Sequence, residues 1–221
     1  MTTVAVVDYG MGNRRSVEKA LEHVGARALI TRAAATLEQA DALVLPGVGA
    51  FPQGMRNLVG LGLDEHIRAV AAAGTPVLGI CLGMQLLFER SQEHELTEGL
   101  GLLAGEVSPL APGELRIPHI GWNEVRFDRP SPLTAGLPSE GCAFYHVHSL
   151  AARPGDPGDV IATTEYGERF ATIVGHGNVL GVQFHPEKSS RDGLGLLSNF
   201  VSLASGNGGS LGRAWAGATS R

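Results

Sequence analysis

The sequence predicts an α/β fold, with an open, mostly parallel central sheet, helices on both faces and a second β-rich part. Three observations carry that expectation. Short continuous apolar runs at residues 4–7, 42–45 and 77–80 read as strands buried on both faces. Segments of helical periodicity alternate with them across short connections, as a parallel sheet requires. Beyond about residue 105, strand-like runs alternate with Pro and Gly turns instead.

In chain order, the run at 4–7 ends in Asp8-Tyr-Gly-Met-Gly-Asn13, a strand followed by a loop. Over 16–24, Val17, Ala20, Leu21 and Val24 recur at the spacing of one helix face, and Gly25 stops the helix. Residues 28–31 read as a second strand. The third, 42–45, is ended by Pro46-Gly-Val-Gly49. Residues 63–73 are helical, with Gly74 and Pro76 behind them. Residues 77–80 form a fourth strand, and 83–90 read as the helix after it. Later strands are expected at 123–127, 143–147, 160–164, 170–174 and 179–184, with Gly175-His-Gly-Asn178 as a hairpin turn between the last two. Residues 194–203 close as a helix. Residues 205–221 carry little apolar content and read as a flexible tail, which leaves 1–204 as one domain.

Composition excludes several function classes. Lys and Arg number 17 against 22 Asp and Glu, a net charge of −5, so no broad basic footprint exists for a nucleic acid. Two cysteines, Cys81 and Cys142, are too few for a disulfide scaffold. No signal peptide and no bilayer-spanning run is visible, so a soluble, cytoplasmic chain without membrane partners is expected. At 43% apolar residues it can bury a sizeable core.

The sharpest chemical signal is Gly79-Ile-Cys-Leu-Gly83. A buried strand runs into Cys81 and a helix starts at once, the shape of a G-x-S-x-G nucleophile elbow with Cys for Ser. Glycines flank it because the turn leaves no room for a Cβ. The helix start is expected to favour the thiolate and to aim N–H groups at an oxyanion. A buried structural thiol is the competing reading. A cysteine nucleophile needs a base and a group that orients it. Gly181-Val-Gln-Phe-His-Pro-Glu-Lys-Ser189 supplies both: in an extended segment His185 and Glu187 point the same way, so Glu187 can hold one ring nitrogen and leave the other for the thiol. The loop Pro46-Gly-Val-Gly-Ala-Phe51 also follows a strand and exposes N–H groups. It lacks the Walker Lys-Ser/Thr and a full G-x-G-x-x-G, so phosphate binding ranks low. His146 and His148 stand at i and i+2, but no third ligand has metal spacing. Hydrogen-bonded histidines are expected there, with no metal site and no cofactor.

Together these stretches resemble class I glutamine amidotransferases. Asp8-Tyr-Gly-Met-Gly-Asn13, Leu45-Pro-Gly-Val-Gly-Ala-Phe51, the elbow through Glu89, His119-Ile-Gly-Trp-Asn123, Tyr145-His-Val-His-Ser149, Thr163-Thr-Glu-Tyr166 and the segment ending at Ser189 carry the resemblance across nearly the whole folded chain. Pro-Gly-Val-Gly, Ile-Gly-Trp-Asn and the Lys-Ser after Glu187 point to one branch, the glutaminase subunits of imidazole glycerol phosphate synthases, over anthranilate, guanylate or cytidylate relatives. The resemblance implies glutamine hydrolysis to glutamate and ammonia through a thioester on Cys81. His185 would be the base and Glu187 its orienter. It implies oxyanion donors from Leu82 and from Gly47, Val48 and Gly49, and glutamine contacts from Gln85 and Glu93. It implies a heterodimer with a (β/α)₈-barrel cyclase of histidine biosynthesis, faced by Asn13, Trp122 and Lys188. The family often has an aromatic residue where Leu150 stands. Another amidotransferase, a cysteine peptidase or esterase with the same elbow, and a non-catalytic regulatory subunit are the rival readings.

Overall fold

A computed structural model describes residues 1–206. Apart from Ser205 and Gly206, the tail expected at 205–221 lies outside the described residues. The chain runs β1 (Thr3–Val7), α1 (Arg14–His23), β2 (Arg27–Thr31), α2 (Ala34–Gln39), β3 (Ala42–Gly47), α3 (Phe51–Gly60), α4 (Leu63–Ala72), β4 (Val77–Cys81) and α5 (Leu82–Leu86). It continues through β5 (Phe88–Ser91), β6 (Thr97–Glu98), β7 (Leu103–Pro109), β8 (His119–Phe127), β9 (Cys142–His148), β10 (Leu150–Pro154), β11 (Val160–Tyr166), β12 (Glu168–His176), β13 (Val179–Val182) and α6 (Ser190–Ala204).

Strand alternation explains the central layers. Ala5 and Val7 of β1 join Leu43 and Leu45 of β3 in one apolar layer, and Val4 and Val6 join Ala42 and Val44 in the other. Both faces are therefore apolar, and both are covered by helices. α1 contributes Val17, Ala20 and Leu21 to one side, and α4 contributes Leu63, Ile67, Val70 and Ala71 to the other. The side chain of Asn13 caps α1 by accepting from the Ser16 N–H at 3.4 Å. Asp64 and Glu65 sit in the first turn of α4, where the helix dipole favours negative charge.

β2, β1, β3, β4 and β13 lie side by side in that order, all parallel. The sheet then turns antiparallel through β12, β10 and β7. β11, β8 and β9 branch from β12 within the same sheet. β12 and β13 are joined by the expected hairpin, with His176 opposite Val179. The register brings the ends of these strands together: Gly47 is opposite Cys81, and Ile80 is opposite Val182. The carboxyl ends of β3, β4 and β13 thus open onto one edge, where open α/β sheets gather ligands.

One expected element is corrected. The helix expected over 83–90 is only the five residues of α5, and the chain then extends as β5. The carbonyls that would continue the helix are taken by returning backbone. Leu100 donates to Leu86 at 2.8 Å, Leu102 to Leu87 at 2.8 Å and Gly99 to Glu89 at 2.7 Å. Phe88, fully buried, pairs with Leu103 of β7. α2, α3, β6, β7 and β10 were not anticipated from periodicity.

Candidate active site

Cys81 sits at φ 54° and ψ −111°, between β4 and α5. Such a backbone is costly for a residue with a Cβ, and it persists only where the surroundings enforce it. Close packing of the elbow enforces it here. A Cβ on Gly83 would overlap the Leu45 carbonyl of β3, and one on Gly79 would meet the Gly83 carbonyl oxygen at 2.6 Å. The elbow is thus pressed against β3 and against its own helix, which only glycines permit.

His185 approaches from the end of β13. Its N–H donates to the Tyr145 carbonyl at 2.9 Å, tying it to β9. Its Nδ1 donates to Glu187 Oε1 at 2.9 Å, and both side chains are buried. The predicted pairing therefore exists, but not by the expected route. Residues Pro186–Lys188 form a 3₁₀ turn, not an extended segment. Lys188 N–H closes that turn onto the His185 carbonyl at 3.0 Å, and Ser189 Oγ donates to the same oxygen at 2.6 Å. The turn swings Glu187 back beneath the imidazole. Pro186 suits its first position because no N–H is needed there.

The second imidazole nitrogen, Nε2, is buried without a hydrogen bond of normal geometry. Cys81 nevertheless bears on the ring. Burial opposes the imidazolium, but Cys81 and Glu187 outweigh it and raise His185 to about 9. The Cys81 thiol donates to the Val147 carbonyl at 3.8 Å and accepts from Gln183 Nε2 at 3.8 Å. Tyr9 lies fully buried beneath the β3 loop, its hydroxyl donating to the Pro46 carbonyl at 2.6 Å. Burial, then the charge of Cys81, raises the Tyr9 pKa.

A cavity of about 250 Å³ opens in front of the sulfur, lined by Val48, Gly49, Cys81, Leu82, Gln85 and Glu93, with Val147 to Leu150 across from them. Glu93 Oε2 accepts the Phe51 N–H at 2.5 Å, which anchors it at the start of α3. Gln85 is buried and donates to Gln183 Oε1 at 3.0 Å. Gly49 has a φ of 113°, a left-handed backbone for the loop that faces Cys81. Gly47, Val48, Gly49, Leu82, Gln85 and Glu93 therefore all gather at Cys81, five of them on the cavity wall and Gly47 in register with it.

Similarity to known proteins covers nearly the whole chain, this site included. A family model described as "Glutamine amidotransferase class-I" matches residues 5–203. The chain belongs to the class I glutamine amidotransferase family. Among its relatives, "Imidazole glycerol phosphate synthase subunit HisH" of Moorella thermoacetica is 50% identical over 211 residues, 95% of this chain and 100% of that protein. The protein of the same name from Aquifex aeolicus is 51% identical over 201 residues, 90% of this chain and 96% of that one. Among solved structures, one described as a glutamine amidotransferase superposes with TM-score 0.71 at 25% identity, covering 91% of this chain and 98% of that one. PurLQS from Thermotoga maritima superposes with TM-score 0.70 at 20% identity, covering 91% and 98%. The last likeness speaks to the fold alone.

The amidotransferase fold places the remaining predicted residues on the surface. Trp122 is 54% exposed and stands opposite Tyr145 across β8 and β9. Lys188 Nζ lies 5.9 Å over the same Tyr145 ring, so Trp122 and Lys188 share one patch. Asn13 is exposed and engaged in capping α1, which packs near the Pro186–Lys188 turn. The histidines hydrogen-bond as expected. His146 Nδ1 donates to the Phe144 carbonyl at 3.1 Å while its Nε2 meets Thr172 Oγ1 at 3.1 Å. Burial, then the neighbouring His148 and His119, holds His146 well below its ordinary range. Tyr9, His119, Gln183 and Ser189 were not anticipated, although each lies inside a stretch quoted for the family resemblance.

Proposed function

We propose that this chain is the glutaminase subunit of an imidazole glycerol phosphate synthase, with Cys81, His185 and Glu187 as its catalytic triad. One observation carries the reading. A relative bearing that subunit's name is 50% identical across its entire length, and in this chain Cys81 lines a cavity while His185, whose ring Cys81 bears on, is held by Glu187. Residues 1–204 are the amidotransferase domain of this proposal, and a cytoplasmic location belongs to it.

The geometry supports the following chemistry. The Cys81 thiol passes its proton to His185 Nε2, and the thiolate attacks the side-chain carbonyl carbon of glutamine. The resulting oxyanion is received by the Leu82 N–H and by N–H groups of the Gly47-Val48-Gly49 loop. His185 returns the proton to the departing nitrogen, releasing ammonia and leaving a γ-glutamyl thioester. Water, activated by the same imidazole, cleaves the thioester to glutamate and frees Cys81. Glu187 holds Nδ1–H throughout, so Nε2 is the nitrogen that faces sulfur. Gln85 and Glu93 hold the glutamine. The cavity, about 250 Å³, lies below the ~300–1,000 Å³ typical of drug-sized ligand sites, which suits one amino acid better than a peptide. Ammonia then passes to a cyclase partner seated on the face of Asn13, Trp122 and Lys188. That partner makes imidazole glycerol phosphate and aminoimidazole carboxamide ribotide in histidine biosynthesis.

The test is the complex with a cyclase, assayed with glutamine and separately with ammonium. Cys81→Ser should abolish glutamine-dependent product formation and leave the ammonium-dependent reaction intact. Cys142→Ala should change neither. Retention of glutamine-dependent turnover in Cys81→Ser would overturn the assignment.

A further inference from the structure

We propose that Gln183 is a further member of the catalytic set: its amide N–H stabilises the Cys81 thiolate, and a directional hydrogen-bond network holds the amide in that orientation. The proposal rests on the reading of Cys81 as nucleophile and deepens it.

Gln183 is fully buried between the end of β13 and His185. A glutamine amide in such a place is costly unless its polar atoms are bonded. Its backbone is fixed by the N–H donating to the Thr172 carbonyl at 2.8 Å. Shape alone does not distinguish the two ends of an amide, so bonding decides which end faces sulfur. The decision is made at the Leu150 carbonyl, which can only accept. His148 Nδ1 donates to it at 2.7 Å and Gln85 Nε2 at 3.4 Å. Gln85 therefore presents its NH₂ end on this side, and the same nitrogen donates to Gln183 Oε1 at 3.0 Å. With its oxygen engaged, Gln183 has only its NH₂ to offer the sulfur, 3.8 Å away.

The outer half of the network has one consistent direction as well. Asn123 Nδ2 donates to the Glu165 carbonyl at 2.9 Å and to His119 Nε2 at 3.2 Å. His119 Nδ1 then donates to His148 Nε2 at 3.1 Å. This assignment requires both imidazoles to be neutral. Burial lowers His119 to about 4, and burial followed by the nearby His119 and His185 lowers His148 to about 3, so both are neutral in the working range. A charged His148 would carry a second N–H on Nε2, face to face with the His119 Nδ1–H.

The sulfur needs such a donor. Its other polar contact, the Val147 carbonyl, accepts from the thiol and would repel a thiolate. Gln183 supplies the opposite preference and leaves the thiolate shared between its N–H and the imidazolium. The titratable groups around Cys81 are His185 with Glu187 behind it, Tyr9 from the loop after β1, and Glu93 and His148 on the cavity wall.

The test is iodoacetamide alkylation of Cys81 in the full chain, followed by mass against pH, with thermal unfolding recorded for each variant. A hydrogen bond to a charged group changes populations roughly tenfold to a hundredfold. Gln183→Leu should therefore raise the alkylation midpoint by about one to two pH units. Gln183→Glu keeps the shape but puts a carboxylate beside the sulfur, and should raise it at least as far. Gln85→Leu leaves Gln183 in place without its anchor, and should give a smaller rise. An unmoved midpoint in whichever Gln183 variant folds overturns the proposal; if neither folds, an unmoved midpoint in Gln85→Leu does so. Failure of the underlying reading would look different: Cys81→Ser would keep glutaminase turnover whatever the alkylation profiles show.

Discussion

Glu187→Gln tests the triad more sharply than deletion of any member, because it removes a charge while keeping the shape. In the native site Oε1 accepts from His185 Nδ1 at 2.9 Å, and the buried Oε2 has no hydrogen-bond partner. The new amide has two ways to sit. With its oxygen toward Nδ1–H, its NH₂ takes the place of Oε2 and is buried without an acceptor, at about 1–3 kcal/mol. With its NH₂ toward Nδ1, its oxygen takes the Oε2 place, as partnerless as the native one, so no donor is newly buried unpaired, but His185 must carry its proton on Nε2. The imidazole then faces the thiol with an N–H and cannot take a proton from it. The second arrangement is favoured, so the substitution should lock the wrong tautomer. In a serine protease triad the equivalent error costs about 10⁴ in kcat. We expect a loss of at least about 10² in glutaminase kcat, approaching 10⁴, with little change in KM. Removal of Cys81 should cost more still. The assay is glutamate release by the complex with ligand-bound cyclase, beside thermal unfolding of the variant. A variant that folds normally and keeps more than about a third of wild-type kcat would refute both the tautomer argument and the role of Glu187.

Three further expectations are independent of that one. His185 is raised from its ordinary 6.5 to about 9 in the fold, so its stabilisation is complete below about pH 6.5 and is lost as pH rises through 9. Urea unfolding at pH 6.5 and 9.5 should show a loss of up to about 3 kcal/mol, and Cys81→Ala should shrink it; identical pH slopes in the two proteins would deny the pairing. Gly83→Ala forces a methyl into the Leu45 carbonyl and should lower Tm and kill turnover together, whereas Gly60→Ala, with nothing near its Cβ and an ordinary φ, should be neutral or stabilise by up to about 1 kcal/mol in thermal melts. Val48→Pro deletes one loop N–H beside Cys81 and should depress glutaminase kcat about 10²–10³-fold without weakening cyclase binding by titration calorimetry; unaltered kcat would remove Val48 from the oxyanion site.

Much of the parallel half of the fold was legible because β1, β3 and β4 are short apolar runs bounded by Gly, Pro or a charge. β1, β3 and β4 need no distant information to be recognised. Residues 83–90 show why that method stops. Met84, Leu86, Leu87 and Phe88 carry an apolar pattern that suits a helix face, yet the carbonyls of Leu86, Leu87 and Glu89 are claimed by residues 99–102. That competition is tertiary and leaves no periodic trace. α3 was hidden for the opposite reason. Its residues include Gly54, Gly60 and Pro52, poor helix formers, and it is held by burial of Phe51, Met55 and Leu58 together with the Glu93 contact at its first turn.

The site divides along the same line. Cys81 announces itself locally, since only a strand-to-helix turn pressed against its neighbours needs glycine on both sides. His185 and Glu187 were paired correctly from a wrong geometric premise: i and i+2 share a face in a strand, but here a 3₁₀ turn brings them together. The turn also recruits Ser189, whose hydroxyl donates to the His185 carbonyl and accepts the Tyr145 N–H at 3.0 Å. β9 thereby fixes His185 from two directions, through its N–H and through Ser189, and the same strand carries the Val147 carbonyl that touches Cys81. Tyr145 also faces Trp122 and Lys188 on the outer surface. A force applied to that patch acts on a strand already bonded to both His185 and Cys81. The patch that the resemblance implies for the cyclase and the residues around Cys81 thus share one strand, β9.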